Sequence, residues 1–376
     1  MQQQTTTTKT CFFCNTSVMR SSGFTSMYFL TPIAIILNCV VLLTLKYGFR
    51  RQQQSFKMRH VLLTSLAVAD LVTCLVGFTI EDLFTSYETC VLAGHVIFTC
   101  SMASMMHMVA LSFERLLSIK FPFQTRVWFA SKRLAAIFVV LVWFYGYMWA
   151  SLFPTLRWGA YVYESKLDHR CSIDLVSSDA ARQSYVYALL AFCYAIPIAA
   201  TICCFVVVKI ELLKMMIDIS SITGSKKSMA ALASARQHRA FTTMVAVMLT
   251  VFTATWTPYV IYIIYQRSGG QLPQTTIDIC AYVGKTCTLW NPIIYFFMYR
   301  KFQRALVRLF LITCSKRFRV VGNPNTTTDH RQSRHGSSRS PLALINFAGC
   351  PRYQTSVLKH NNNTDNSTAA VLATNK

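Results

Sequence analysis

Across 376 residues the chain is 53% hydrophobic and only 14% charged, with a mean hydropathy of +0.38, a balance that excludes a string of ordinary soluble domains and points to a membrane protein. Its net charge of +23 invites a nucleic-acid reading, but the basic residues alternate with apolar runs instead of forming one patch, so no nucleic-acid partner is expected. Crossing a hydrocarbon core of roughly 30 Å takes about 20 apolar residues in a helix. Seven such runs recur, near residues 26–49, 58–84, 90–119, 133–154, 185–213, 240–265 and 274–298. The expected fold is an all-α membrane protein, a seven-transmembrane helix bundle.

Segment 1–25 has no basic stretch followed by a short apolar run and a cleavage site, so the first span is expected to direct insertion. Asn15-Thr16-Ser17 is a sequon and a candidate glycosylation site, while a Cys11–Cys14 link is not expected. Lys46, Arg50, Arg51, Lys57 and Arg59 follow the first span, and Lys120, Arg126, Lys132 and Arg133 follow the third. Lys209, Lys214, Arg236 and Arg239 flank the link after the fifth, and Arg300, Lys301, Arg304 and Arg308 follow the seventh. Basic residues near span ends are retained on the cytoplasmic side. The expectation is a multi-pass plasma-membrane protein with an extracellular N-terminus, whose basic face also meets anionic membrane lipid.

The second, third and seventh spans hold polar or charged residues that a lone helix resists and a bundle interior accepts. Most of the fourteen cysteines lie in apolar spans, where the thiol behaves as a small hydrophobe. Cys90, opening the third span, and Cys171, in the only long outer loop at 155–184, stand apart in an oxidising compartment. A disulfide between them is expected to pin that loop over the bundle, at about 2–5 kcal/mol of stabilisation. Pro197, Pro258 and Pro292 each remove a helix hydrogen bond and mark hinges in the fifth, sixth and seventh spans.

Taken in order, Asn38, Leu66-Ala67-Val68-Ala69-Asp70, Glu114-Arg115-Leu116, Trp143, Pro197, Thr255-Trp256-Thr257-Pro258 and Asn291-Pro292-Ile293-Ile294-Tyr295 resemble the rhodopsin-like receptors over about residues 26–315. The resemblance implies a receptor that couples a stimulus to a heterotrimeric G protein, with receptor kinase and arrestin as further partners. It casts Asp70, Glu114, Arg115, Pro258, Asn291, Pro292 and Tyr295 as the activation switch. Asp70 and Asn291 are then part of a sodium or water site; the plain alternative is a hydrogen bond across helices. Arg115 is the residue released on activation to meet the G protein, the alternative being a static ion pair at a helix end. The family often carries an acid at the inner end of the sixth span to hold that arginine, but here the stretch reads Gln237-His238-Arg239. A weakened lock, with measurable signalling in the absence of a stimulus, is expected. Phe205 also stands where many members have a tyrosine.

Lys285 lies six residues before Asn291 within the seventh span. A lysine at this depth costs about 2.5–3.5 kcal/mol on insertion scales, so it should face the bundle interior and have a role. Its amine is a nucleophile toward aldehydes and forms Schiff bases with them. The spacing from Asn-Pro resembles that of the retinal-binding lysine of opsins, which implies covalent retinal as the cofactor, with Trp256 and Tyr259 as part of the pocket wall. The loop Trp158-Gly159-Ala160-Tyr161-Val162-Tyr163-Glu164, followed by Cys171-Ser172-Ile173-Asp174, resembles the opsin lid. A protonated Schiff base needs a counter-ion, and Ala93 occupies the third-span position that supplies it in vertebrate visual opsins. Glu164 is the candidate, but it stands seven residues before Cys171 instead of the usual six, and Tyr163 replaces a customary proline. Glu81, Asp82 or a bound anion are the alternatives.

After the seventh span, residues 300–314 place apolar residues at helical spacing beside basic ones, the pattern of a short amphipathic interfacial helix. Cys314 is a candidate for palmitoylation. Residues 315–376 are rich in Ser, Thr, Asn and Arg and read as a disordered cytoplasmic tail. The resulting division is 1–25 extracellular, 26–299 the seven-span bundle, 300–314 the amphipathic helix and 315–376 the tail. A light sensor carrying retinal is the expected function. The alternative is a receptor for a diffusible peptide or amine; inverted repeats, a polar-lined pore, metal clusters and a nucleophile elbow are not evident, so transporter, channel and enzyme are not expected.

Overall fold

The computed structural model of the chain describes residues 16–48, 58–80, 86–165, 170–221 and 226–321. Six helical stretches are long and apolar enough to cross a membrane: Phe29–Tyr47, Met58–Phe78, Tyr87–Lys120, Lys132–Thr155, Ala180–Ile219 and Ala231–Arg267. Burial runs opposite to that of a soluble protein. Asn38, Asp70, Ser104 and Asn291 are buried, whereas Ile36, Val140 and Phe144 are more than half exposed on the outside of the bundle, as expected where lipid is the solvent.

The seventh span departs from the expected single helix. It is two helices, Gln274–Lys285 and Cys287–Met298, parted at Thr286. The break is explained by its hydrogen bonds. Thr286 N–H donates to Val283 O at 3.2 Å and Leu289 N–H to Thr286 O at 3.0 Å, tightening the turn. The Thr286 hydroxyl donates to Val283 O at 2.7 Å and that of Thr288 to Lys285 O at 3.3 Å. Pro292 has no N–H to offer the carbonyl four residues back, which is Thr288. Asn38 Nδ2 of the first span donates to that carbonyl instead, at 3.0 Å.

Helix ends also extend beyond the apolar runs. The first helix begins at Thr16, the sixth at Lys226, and the helix after the seventh span runs Arg300–Val321, because helical backbone continues once it has left the hydrocarbon and hydropathy registers only the part inside. A wide π turn stands at the end of the described part of the first span, Thr44–Gly48, and others interrupt the second, fourth and fifth at Thr73–Phe78, Met148–Leu152 and Ala191–Ala195. Pro197 stands two residues beyond the last of these. Helix starts are capped where the sequence permits: Ser86 and Ser131 accept from Thr89 N and Leu134 N.

The helices are joined by one β-hairpin among the described residues, an element the all-helical expectation omits. Strand β1 (Tyr161–Ser165) pairs antiparallel with β2 (Arg170–Ile173). Cys90 and Cys171 are disulfide-bonded, tying β2 to the start of the third span. At that span the hairpin presses so close that a Cβ on Gly94 would lie 2.8 Å from the Tyr161 ring. Tyr161 donates to Ala150 O at 2.9 Å, and its burial and the neighbouring Tyr185 hold the phenol proton well above its ordinary range, so the hydroxyl stays a donor.

Candidate ligand cavity and switch residues

A cavity opens beneath the hairpin between the third, fifth, sixth and seventh spans, with apolar walls built from Ile97, Phe98, Met102, Met105, Val186, Leu189, Leu190, Phe252, Val260 and Ile263. Its polar groups are few, as in most small-molecule pockets. The hairpin contributes Glu164, Arg170 and Ser172, the sixth span Trp256 and Tyr259, and the seventh Lys285. Lys285 ends the upper of the two seventh-span helices. Its Nζ lies 5.4 Å from the ring centres of both Phe78 and Tyr282. Gly284 lets the Trp256 ring pack against this helix, since a Cβ there would sit 3.1 Å from two of its ring carbons. Trp256 and Tyr259 meet edge to face at 6.1 Å.

The orientation of Glu164 follows from the hairpin register. Tyr163 opposes Cys171 and Ser165 opposes Arg170, so Glu164 is one residue too many and forms a β-bulge. A bulge leaves its extra residue unpaired and re-aims the side chain. The seven-residue spacing to Cys171 is thereby accommodated, and Glu164 Oε1 accepts from Tyr259 Oη at 2.5 Å. Its Oε2 accepts from Arg170 Nε at 2.7 Å. Arg170 in turn reaches Asp278 of the seventh span, Nη2 to Oδ1 at 2.7 Å.

Arg170 and Asp278 were not among the residues expected at the site. Each left a faint mark in the sequence: Arg170 stands beside a disulfide cysteine, and Asp278 precedes Lys285 by seven residues, two turns along one helix face. Glu81 and Asp82, like Asn15, Cys11 and Cys14, lie outside the described residues, and so does the side chain of Cys314.

Toward the other end, the expected switch residues gather in two groups. Asp70 accepts from Ser104 Oγ at 3.2 Å and from Asn291 Nδ2 at 2.9 Å, joining the second, third and seventh spans. Tyr295 is buried nearby, its ring centre 6.1 Å from that of Phe302. Deeper, Arg115 donates to Glu114 through Nε at 2.5 Å and through Nη2, and Ser118 donates to the same carboxylate at 3.2 Å. Arg59 Nε stands 3.7 Å from it as a second cation. Where the sixth span lacks an acid, Phe241 supplies its ring face, 4.7 Å from the Arg115 guanidinium and 5.4 Å from that of Arg59. Trp143 donates to Ser65 at 2.9 Å and so joins the fourth span to the second.

Residues 37–295 match the family described as 7 transmembrane receptor (rhodopsin family). Among curated proteins, Opsin-VA of Rutilus rutilus is 26% identical over 332 residues, covering 85% of this chain and 81% of its own length. Red-sensitive opsin of Oryzias latipes is 27% identical over 299 residues, covering 76% and 78%. The crystal structure of squid rhodopsin superposes with a TM-score of 0.67 at 20% identity, covering 79% of this chain and 87% of that one.

Proposed function

Because the chain belongs to the rhodopsin family of seven-transmembrane receptors, and is therefore a multi-pass membrane receptor, we propose that it is a light-sensing opsin, holding retinal through a Schiff base on Lys285 and activating a heterotrimeric G protein. The observation that carries this reading is the meeting of Lys285 with Glu164, Trp256 and Tyr259 around one apolar cavity. A hydrophobic aldehyde suits such walls, and Lys285 is the one lysine among the described lining residues. Bound there, retinal supplies a polyene whose shape changes on absorbing light.

The chain's own residues do the rest. The Lys285 amine, which lines the cavity, would hold the carbonyl end of the ligand against the seventh span, an amine being the group that forms Schiff bases with aldehydes. Trp256 and Tyr259 wall the ligand on the sixth span, and Pro258 between them, which cannot bond to the turn before it, makes that helix the part that yields. The hairpin, held by Cys90–Cys171, closes the cavity from above. Movement of the sixth span carries Phe241 away from Arg115, freeing the guanidinium for the G protein at the basic end. The same orientation puts the N-terminus outside the cell at the plasma membrane, lays the basic helix Arg300–Val321 on anionic lipid, and offers the tail's hydroxyls to a receptor kinase and then arrestin.

The test is spectroscopic. The full chain, expressed with retinal and purified, is expected to show a visible absorbance band that Lys285→Ala loses. Absence of a band with every retinal isomer tried favours instead a receptor for a diffusible peptide or amine.

A further inference from the structure

By its place in the sequence Arg59 is one more basic residue after the first span, but the fold brings it to Glu114. It is the second residue of helix Met58–Val72, and Met58 N–H donates to Phe129 O at 3.2 Å, which fixes that helix end against the segment after the third span. From there Arg59 Nε stands 3.7 Å from Glu114 Oε1, its side chain 14% exposed. That is close enough for two charges to attract but beyond a hydrogen bond. Among the described residues this buried Nε–H has no acceptor.

One carboxylate therefore faces two arginines from two helices. Arg115 donates to it through Nε and Nη2, and Ser118 through its hydroxyl, while the Glu114 side chain is only 2% exposed. A single ring also covers both cations, since Phe241 of the sixth span packs on the guanidinium of Arg115 and on that of Arg59. A movement of the sixth span that uncovers one uncovers the other in the same step.

Release of Arg115 alone is unfavourable, because a buried carboxylate that loses its cation is left uncompensated. Ser118 stays, but a neutral donor stabilises a carboxylate less than a guanidinium does. Arg59 is a second fork of donors that keeps its proton at any working pH. Closing the gap from 3.7 Å to a charge-assisted bond of about 2.8 Å is within the reach of a flexible arginine side chain, with no movement of the second span.

Resting on the reading that this receptor activates a G protein, we propose that Arg59 is a positioning residue of the switch: as Arg115 leaves Glu114, Arg59 takes its place on the carboxylate and stabilises the state that meets the G protein. One guanidinium replaces another, and no covalent bond or proton is exchanged. The sign of the effect sets this apart from a second lock. A cation that held the resting pair together would suppress signalling, whereas a successor to Arg115 promotes it.

The full chain in cell membranes is compared as wild type, Arg59→Gln, Arg59→Lys, Glu114→Gln and Arg59→Gln/Glu114→Gln, with Arg59→Thr standing in where the glutamine variant does not reach the surface. GTPγS binding by a panel of purified heterotrimeric G proteins is read without retinal in the dark and with retinal under light, per receptor counted at the surface, so a lower yield leaves the comparison intact. Arg59→Gln is expected to lower the rate several-fold in whichever condition the wild type is active, and Arg59→Lys to keep most of it. In the Glu114→Gln background, where no carboxylate needs a successor, Arg59→Gln is expected to leave the rate unchanged. A rate for Arg59→Gln equal to or above wild type overturns the handover, and so does an equal loss in the Glu114→Gln background, which assigns Arg59 to packing or to contact with the G protein. A wild type that drives exchange on none of the G proteins overturns the coupling reading itself and is thereby told apart.

Discussion

The carbonyl of Thr288 faces a donor that Pro292 lacks, at a depth where no bulk water can replace it, and Asn38 Nδ2 meets it from a helix 250 residues away in sequence. The same amide group also donates to Ala34 O at 3.0 Å. Leaving a buried carbonyl unsatisfied costs about 1–3 kcal/mol, so Asn38→Ala is expected to destabilise the receptor by that order, read as a lowered thermal midpoint of the detergent-solubilised protein. An unchanged midpoint means that some other donor has reached Thr288. Pro292 and Asn38 were both readable as features of their own spans. Their dependence on each other was not, because a proline's position announces a missing N–H but says nothing of which helix will face the gap.

At the scale of elements, the sixth span holds Arg115 with an aromatic ring where an acid is often found. A cation over a ring is worth about 0.5–2 kcal/mol depending on desolvation, whereas breaking a buried ion pair costs about 3–5 kcal/mol. The hold of the sixth span on Arg115 is therefore weak, and the principal restraint on the arginine is Glu114 within its own helix. Phe241→Ala is expected to raise stimulus-independent signalling several-fold above wild type in a second-messenger assay, and Phe241→Trp, which keeps a ring face, to leave it near wild type. Equal basal signals in all three would assign Phe241 to packing alone. The weakened lock was legible in Gln237-His238-Arg239 as a missing acid; the substitute, one turn further on, was hidden because a phenylalanine in an apolar span looks like any core residue. The seventh span shows the same limit, for its composition is that of one helix while its hydrogen bonds make two.

Across the whole molecule, one disulfide and one ion cluster hold the hairpin over the cavity from opposite sides: Cys171 to the third span, and Arg170, the residue before it, to the seventh. Cys171→Ser is expected to cost about 2–5 kcal/mol and to reduce the yield of folded receptor, read as the fraction surviving a fixed thermal challenge; full survival would leave the ion cluster as the sufficient tether. The sequence by itself determined the number of spans, the asymmetry of basic residues between their ends and the ordered motifs, because a hydrocarbon solvent imposes its demands locally, run by run. Lys285 was singled out on the same ground, since a charge at that depth is conspicuous wherever it points. What only the tertiary structure decided is where Glu164 faces and what it faces. The bulge that turns it depends on the register of two strands, and the contact of its partner Arg170 with Asp278 spans 108 residues; both are set by hydrogen bonds between distant segments, which no local pattern of residues records.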